Sequence, residues 1–538
     1  MTDIIDPVGP DTPGAHEIGF DKAAYPNASA ILFDNLQRDP DATAVTGPMG
    51  MRTFAELCAD AAQWGNALCA FGLKRSERIA FFTDDTPAYV AAFFGAVRCG
   101  FVPVLLNTQT PSDLLQYYLS DCGARLALCE ANFVDRFSSD AIAGTDLEQV
   151  IVVNGNGKKA AALQCKASAF IDGHSTRLSC ADTGPDDMAF WMYSSGSTGR
   201  PKGIVHLHHD MAYTAQSYAA HVLDLNSSDL CFSVPKMFFA YGFGNTVTFP
   251  FSVGASSLLM PGRPEPNRVI EMIETFRPSV FFGLPTLFTA LCRLPGADRH
   301  DFSSLRGSVS AAETLSEEVF RSWHKLTGTR AIEGLGSTEM LHIYLSNTSK
   351  EQRLGSAGRR VPGYEVMLCD EDGRRVPPGT DGVMWVRGHS SAPLYWNRPE
   401  NTVDTMRGDW IFTGDRFHEQ DGYYYFQGRA DDLVKVSGQW VWPLEVERCL
   451  AEHAAVHECA VVAESLADRR ITLRAVVRLR AGEARDAAQV RRLQDFVKQT
   501  LQPYKYPRIV DFVDDIPKTG TGKIDRQALL RATIDKGE

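Results

Sequence analysis

A chain of 538 residues that is 44% hydrophobic has room for more than one domain, each with a core of its own. Its formal net charge of −12 argues against a nucleic-acid-binding surface, which would need a basic face. The twelve cysteines are scattered singly without a C-x-x-C pair, so neither a zinc site nor a redox dithiol is suggested, and reduced thiols in a cytoplasmic protein are the simplest account. The N-terminal run Met1-Thr2-Asp3-Ile4-Ile5-Asp6-Pro7 has neither a basic nor an apolar region of signal-peptide type, and no signal peptide is expected. Residues 78–82 read as a strand, 89–98 as a helix and 101–106 as the next strand, an alternation that predicts βαβ units and parallel sheets. The apolar stretch 88–106 contains Arg98, Gly100 and Pro103, which fits a buried helix followed by a buried strand and not a membrane span. Strands are expected again at 188–192, 204–207, 280–283 and 308–311.

From Gly355 to Phe426 short strands, Gly/Pro turns and aromatics predict an antiparallel sheet or a small barrel-like part. After Gly428 a compact unit begins. A helix should start at Pro443, with Val446 and Leu450 one turn apart, and strands follow at 460–462 and 471–479. Val490, Leu493, Phe496, Val497 and Leu501 recur at helical spacing before a last strand at 509–513. The fold class is therefore α/β: a large multi-subdomain N-terminal region, residues 1–430, with βαβ sheets and a barrel-like part, and a small α+β C-terminal domain, residues 431–538.

The most informative stretch is Tyr193-Ser194-Ser195-Gly196-Ser197-Thr198-Gly199-Arg200-Pro201-Lys202-Gly203. It carries four Ser/Thr hydroxyls, three glycines and two cations. Glycine allows backbone N–H groups to turn toward an anion, hydroxyls add donors, and Arg and Lys add charge. Its order is not that of a Walker loop, and a bland Ser/Gly linker seldom lies between two apolar strands. A phosphate-gripping loop is the reading.

Further segments bear chemistry: Glu333-Gly334-Leu335-Gly336-Ser337-Thr338-Glu339, Phe412-Thr413-Gly414-Asp415, 428–438 with Arg429 and Asp431, 443–447, and Pro517-Lys518-Thr519-Gly520-Thr521-Gly522-Lys523-Ile524-Asp525-Arg526. Each alone is weak. In this order they resemble the AMP-forming acyl-adenylate superfamily of acyl-CoA synthetases, peptide-synthetase adenylation domains and luciferases, over nearly the whole chain. The resemblance implies a two-step ligase: a carboxylate attacks the α-phosphate of Mg-ATP to give an acyl-adenylate and pyrophosphate, and a thiol then displaces AMP. It implies ATP, Mg²⁺ and coenzyme A as cofactor and co-substrates. It assigns the β- and γ-phosphates to Ser194, Ser195, Ser197, Thr198 and Lys202, the α-phosphate to Thr338 and Mg²⁺ to Glu339. By the same resemblance Ala311, Ala312 and Glu313 lie beside adenine, and Asp415 and Arg429 bind the ribose. Lys523 would bridge carboxylate and α-phosphate during adenylation, and Asp431 would be the hinge of a mobile C-terminal domain.

Two segments bear on the acid. Residues 235–245 are aromatic with small residues interspersed, and ordinary core packing accounts for some of those rings. Where amino-acid-activating relatives commonly hold an aspartate, this chain has Ala240, so an ammonium would be buried unpaired. Residues 337–347 resemble those of benzoate-CoA ligases and their aryl-CoA ligase kin. That resemblance makes Ala240, Tyr241, Gly336, His342 and Ile343 the lining of an aryl slot, although His342 is equally accounted for as a core histidine. His206, His208 and His209 lack a carboxylate or cysteine partner at familiar spacing and are read as structural or substrate-adjacent, not as a zinc site. The expected partners are a small aryl carboxylic acid, ATP and CoA, with no nucleic acid and no membrane, and the oligomeric state is left open. Two alternatives stand beside this reading: a stand-alone aryl adenylation enzyme loading a carrier protein, and a non-catalytic nucleotide- or acyl-binding regulator.

Overall fold

The computed structural model describes residues 15–155, 163–194, 200–313, 315–370, 372–430, 434–436, 439–465, 471–518, 524–526 and 528–530. The chain divides into two compact units, one comprising 1–367, 385–413 and 422–424, the other 368–384, 414–421 and 425–538.

The first unit contains two large sheets. Seven strands run in the order Gln164–Lys166, Gln149–Val153, Leu126–Glu130, Arg78–Phe82, Val102–Leu105, Met188–Ser194 and Lys202–Leu207, parallel except for the last pair. The βαβ rhythm expected from the sequence is thus present. Along Arg78–Phe82 both faces are buried: Ile79 and Phe81 enter one apolar cluster, Ala80 and Phe82 another. Continuous apolar runs of this kind suit a parallel strand covered on both sides. The nine-stranded sheet runs Arg359–Arg360, Ile343–Ser346, Ala331–Gly336, Gly307–Ser310, Val280–Gly283, Leu230–Ser233, Ser256–Leu258, Thr43–Thr46 and Arg52–Thr53.

The helices begin where capping chemistry allows. Thr53 and Glu56 form a reciprocal capping box for Phe54–Phe71, and the Thr86 hydroxyl accepts from the Tyr89 N–H ahead of Pro87–Arg98. These two helices cross at Gly65 and Gly95, where a Cβ on Gly95 would overlap the Ala61 carbonyl oxygen and stand 2.9 Å from the Gly65 nitrogen. The close crossing lets Phe93 and Phe94 pack with Phe190, Phe243 and Phe251. Among the described residues, no helix is long and apolar enough to cross a membrane.

The segment expected to be barrel-like is a five-stranded sheet of Glu365–Cys369, Gly382–Arg387, Trp410–Gln420, Met406–Arg407 and Tyr423–Arg429 that does not close on itself. In the second unit, Val456–Ser465 pairs antiparallel with Ile471–Leu479, which pairs parallel with Ile509–Phe512. Helix Pro443–Ala451 supplies buried Val446 and Leu450, as its spacing predicts. Its buried Glu447 receives Arg526 at 2.6 and 2.9 Å and the Val461 N–H at 2.6 Å, which compensates for burying the carboxylate.

Two expectations follow from this packing. Gly95→Ala should destabilise the first unit by about 1–3 kcal/mol, because the helices must separate to admit the methyl group; urea unfolding followed by tryptophan fluorescence measures it, and an unchanged midpoint would refute the close crossing. The second concerns buried histidines. Burial pushes His208 down to about 4, partly opposed by Asp187, and pushes His342 down to about 3. The unfolded chain binds these protons near the ordinary value of 6.5 while the folded chain does not. The associated stability is fully present above that value and is lost as pH falls toward 4 and 3. Asp85, raised by burial to about 6, acts in the opposite sense: its contribution is full below 3.8 and is lost as pH rises through 6. The informative comparison is therefore between variants. His342→Gln should show a shallower fall in Tm on acidification from pH 6.5 to pH 4 than the parent, and parallel curves would contradict a neutral, buried His342.

Candidate active site

Four neighbouring parallel strands, Leu230–Ser233, Val280–Gly283, Gly307–Ser310 and Ala331–Gly336, end at one edge of the nine-stranded sheet. Three of the strips singled out in the sequence leave from that edge. Residues 235–245 follow the first strand, Ala311-Ala312-Glu313 the third and Ser337-Thr338-Glu339 the fourth. In open parallel sheets the carboxyl edge is where ligands bind.

Thr338 and Glu339 lie on a single 3-10 turn, Thr338–Met340, between two antiparallel strands. Leu341 then adopts φ +63°, in the left-handed region that costs an L-residue about 1–2 kcal/mol. Such a turn does not hold itself. Each of its three carbonyls is bonded from a distant part of the chain. His206 Nε2 donates to the Thr338 carbonyl at 2.9 Å, the Ala392 N–H to that of Glu339 at 2.8 Å, and the Ser390 hydroxyl to that of Met340 at 2.8 Å. The other nitrogen of His206 lies 2.9 Å from the Asp210 carboxylate, and both side chains are fully buried. His208 accepts from the Ala28 N–H, and His209 bonds the carbonyls of Pro185 and His389. His206 and His209 both lie against Asp210, at 2.9 and 3.4 Å, and His206 is the one that bonds the 338–340 turn.

Ser194 and Lys202 are opposite each other at the loop end of an antiparallel hairpin. Ser195, Ser197 and Thr198, between them, lie outside the described residues. The ends are tethered. The Tyr193 hydroxyl donates to Asp121 at 2.8 Å, Arg398 reaches Asp121 at 3.0 Å and the Tyr117 oxygen at 2.7 Å, and Tyr117 donates to the Pro201 carbonyl at 2.7 Å. Segment 394–396 docks alongside, with the Trp396 N–H donating to the Gly203 carbonyl at 2.8 Å and Tyr395 bridging to Ile204. The Tyr395 hydroxyl donates to Glu339 Oε1 at 2.7 Å, and Lys202 Nζ lies 4.7 Å from the centre of the Tyr395 ring.

The strip beginning at Pro235 is pinned by buried Asp85, which accepts from the Met237 N–H at 3.2 Å and lies 3.7 Å from Lys236 Nζ. Burial raises the Asp85 carboxyl to about 6, against the pull of Lys236. Only glycine fits at 242, where a Cβ would overlap the carbonyl oxygens of Pro235 and Lys236. Ala240 is buried within the main apolar cluster. The Tyr241 hydroxyl donates to the Val309 carbonyl at 3.1 Å, which ties this strip to the strand preceding Ala311. The His342 ring lies 5.6 Å from that of Tyr241, 5.2 Å from Tyr218 and 4.4 Å from Phe249. Gly336 passes close to the His342 backbone, and Ile343 pairs with it across the strands. Ala240, Tyr241, Gly336, His342 and Ile343 thus belong to one neighbourhood, and its histidine is neutral.

Ala311 is buried, whereas Ala312 is exposed with φ +71° and Glu313 is half-buried. In the second unit Asp415 and Arg429 pair at 2.9 Å. Asp431 and Lys523 lie outside the described residues. Lys518 and Ile524 form a bridge, and the Asp525 N–H donates to the Pro517 carbonyl at 2.8 Å. Sequence reasoning missed Tyr395, Asp121, Arg398 and Tyr117. Their contacts join positions far apart in the chain, and the one local signal was the aromatic run Tyr395-Trp396 ahead of a helix-starting Pro399.

Comparison with known proteins agrees with this geometry. Residues 32–396 match the AMP-binding enzyme family and residues 445–523 the AMP-binding enzyme C-terminal domain. A benzoate-CoA ligase of Thauera aromatica is 40% identical over 486 residues, covering 90% of this chain and 91% of that protein. Among solved structures, the anthranilate CoA ligase AuaEII in complex with anthranoyl-AMP superposes with a TM-score of 0.89 at 36% identity, covering 96% of this chain and all of that one. A benzoate CoA ligase from Burkholderia xenovorans LB400 gives 0.85 at 38% identity, covering 94% and 99%. The chain belongs to the AMP-binding enzyme family.

Proposed function

We propose that this enzyme joins a small aromatic carboxylate, benzoate or a close relative, to coenzyme A through an acyl-adenylate, releasing pyrophosphate and then AMP. The observation that carries the reading is the single neighbourhood of Gly336, Thr338, Glu339, His342 and Ile343. There a hydroxyl suited to an α-phosphate and a carboxylate suited to Mg²⁺ lie beside uncharged, aromatic surroundings, which supports this reading. The names borne by the similar proteins point the same way. A flat aryl ring suits walls of Tyr241, Ile343 and neutral His342, and no carboxylate at Ala240 selects for an ammonium.

In the first step a carboxylate oxygen attacks the α-phosphorus and the bond to pyrophosphate breaks. Thr338 donates to the α-phosphate. Ser194 and Lys202, with Ser195, Ser197 and Thr198 of the same loop, hold the leaving pyrophosphate. Ala311, Ala312 and Glu313 take the adenine, and Asp415 and Arg429 the ribose hydroxyls. In the second step the CoA sulfur attacks the acyl carbon and AMP leaves. Glu339 fits Mg²⁺, which typically takes one or two carboxylates and completes its shell with water and substrate phosphates. When bound, that ion would neutralise phosphate charge. Lys523 bridges carboxylate and α-phosphate in the first step, and Asp431 is the hinge between the steps.

The test of substrate class is a panel of benzoate, hydroxybenzoates, aminobenzoates, phenylacetate, cinnamate and decanoate, followed by CoA consumption and AMP release. Benzoate-sized acids should be the best substrates and decanoate poor. Turnover of decanoate with no response to any aryl acid would overturn the reading, and aryl-adenylate formation without aryl-CoA would instead favour loading of a carrier protein. Lys523→Ala should slow adenylation by roughly 10²–10³-fold, the usual loss of one transition-state donor, while thioester formation from supplied benzoyl-adenylate stays near the parent rate. Equal loss in both half-reactions would remove Lys523 from the first step.

A further inference from the structure

We propose that Tyr395 is a positioning residue of the adenylation step, its hydroxyl orienting the Glu339 carboxylate and its ring face holding the Lys202 ammonium. This rests on the function proposed above, in which those two side chains serve Mg²⁺ and the β- and γ-phosphates. Three observations support it. The hydroxyl donates to Glu339 Oε1 at 2.7 Å, which occupies one carboxylate oxygen and fixes the plane of the group. Lys202 Nζ sits 4.7 Å from the ring centre, within range of a cation–π contact that restrains a long flexible side chain without neutralising it. Tyr395 itself is rigid. It is 4% exposed, it packs with Ile204 and Ala392, and its backbone bridges to Ile204, two residues beyond Lys202. The Ala392 N–H in turn holds the Glu339 carbonyl at 2.8 Å. One short segment thus sets both the backbone and the side chain of Glu339, and the ammonium that must meet the same polyphosphate.

The arrangement has a chemical logic. A cation and an anion placed to receive one Mg-nucleotide would pair with each other directly if nothing separated them. An aromatic ring between them offers a face to the cation and a hydroxyl to the anion, so both keep their charge for the ligand.

The test uses full-length Tyr395→Phe and Tyr395→Leu. Tyr395→Phe removes the hydroxyl and keeps the ring, so it should raise the Mg²⁺ concentration for half-maximal ATP–pyrophosphate exchange by about tenfold, the usual loss of a bond to a charged group. Mg-ATP affinity without acid, measured by calorimetry at saturating Mg²⁺, should change less than about threefold in this variant. Tyr395→Leu removes the ring as well and should weaken that affinity by about tenfold, so that Phe rescues binding relative to Leu. In both, the KM for benzoate and thioester formation from supplied benzoyl-adenylate should stay within about twofold, since neither uses the polyphosphate contacts. An unchanged Mg²⁺ response in Tyr395→Phe overturns the proposal, as does a uniform loss across exchange, benzoate KM and thioester formation. If Tyr395→Leu fails to fold, the Mg²⁺ response of the Phe variant decides. Absence of exchange with any aryl acid in the parent enzyme would instead defeat the functional reading, and this inference with it.

Discussion

The short turn that carries Thr338 and Glu339 depends on a buried interaction beneath it, the His206 ring wedged between the Asp210 carboxylate and the Thr338 carbonyl. A three-residue turn fixes several dihedrals for very little local bonding, and the left-handed Leu341 at its end adds strain. Its geometry has to be imposed from outside. Asp210 is fully buried beside His206 and accepts a second bond from the Leu207 N–H at 3.0 Å. Removing one partner of such a buried charge typically costs about 3–5 kcal/mol, so the ring has little freedom to leave. With Ala392 and Ser390 bonding the next two carbonyls, the turn is bound to two distant segments, one being the strand that begins at Lys202. Hairpin and turn are therefore positioned as one body before any ligand arrives.

Much of this was legible in the sequence because its cause is local. Apolar runs of four to seven residues became strands where they were expected, as at Arg78–Phe82 and Val280–Gly283, and a proline marked the helix start at Pro443, whereas the helix expected over 89–98 starts two residues earlier, at Pro87. Strands run up to Ser194 and onward from Lys202, on the two sides of the glycine- and hydroxyl-rich stretch, as expected. What escaped was non-local. Nothing near Asp121 announces that it will meet Arg398, 277 residues away, or that Tyr117 and Tyr193 will join them. The Tyr395 hydroxyl and Trp396 indole contacts likewise depend on which strand the segment docks against. Between the two forms expected for residues 355–426, a sheet or a small barrel-like part, the choice was not legible for a related reason. Alternation identifies strands but carries no information about closure, which depends on twist and register between them.

The candidate site also shows why a parallel sheet suits this chemistry. Residues 235–245, 311–313 and 337–339 leave three of four neighbouring strands at one edge, so their spacing follows from strand spacing. Two departures from relaxed backbone sit there, Ala312 and Leu341, both L-residues with positive φ. Strain of this sort persists only where surrounding contacts over-determine the chain. At Leu341 those contacts are the three carbonyl bonds of the preceding turn, and near Ala312 the Tyr241 hydroxyl ties the acid strip to the strand that ends just before it.

Charge along this edge is unevenly distributed, and under the proposed function that asymmetry favours one orientation of the acid. Lys236 on the acid strip is engaged by Asp85 and by the Met260 carbonyl, Ala240 carries no charge, and His342 is neutral because burial holds its pKa near 3. A carboxylate pushed into that slot would be desolvated without a countercharge, a cost far larger than the gain from burying any one side of the ring. The hairpin end offers Lys202, half-exposed and with its ammonium over an aromatic face. Ring inward and carboxylate toward the phosphates is thus the orientation with the lower electrostatic cost. It is also the orientation the chemistry needs, since the oxygen that must attack phosphorus is then the one left facing it. Binding selectivity and reactive geometry arise from the same placement of charge.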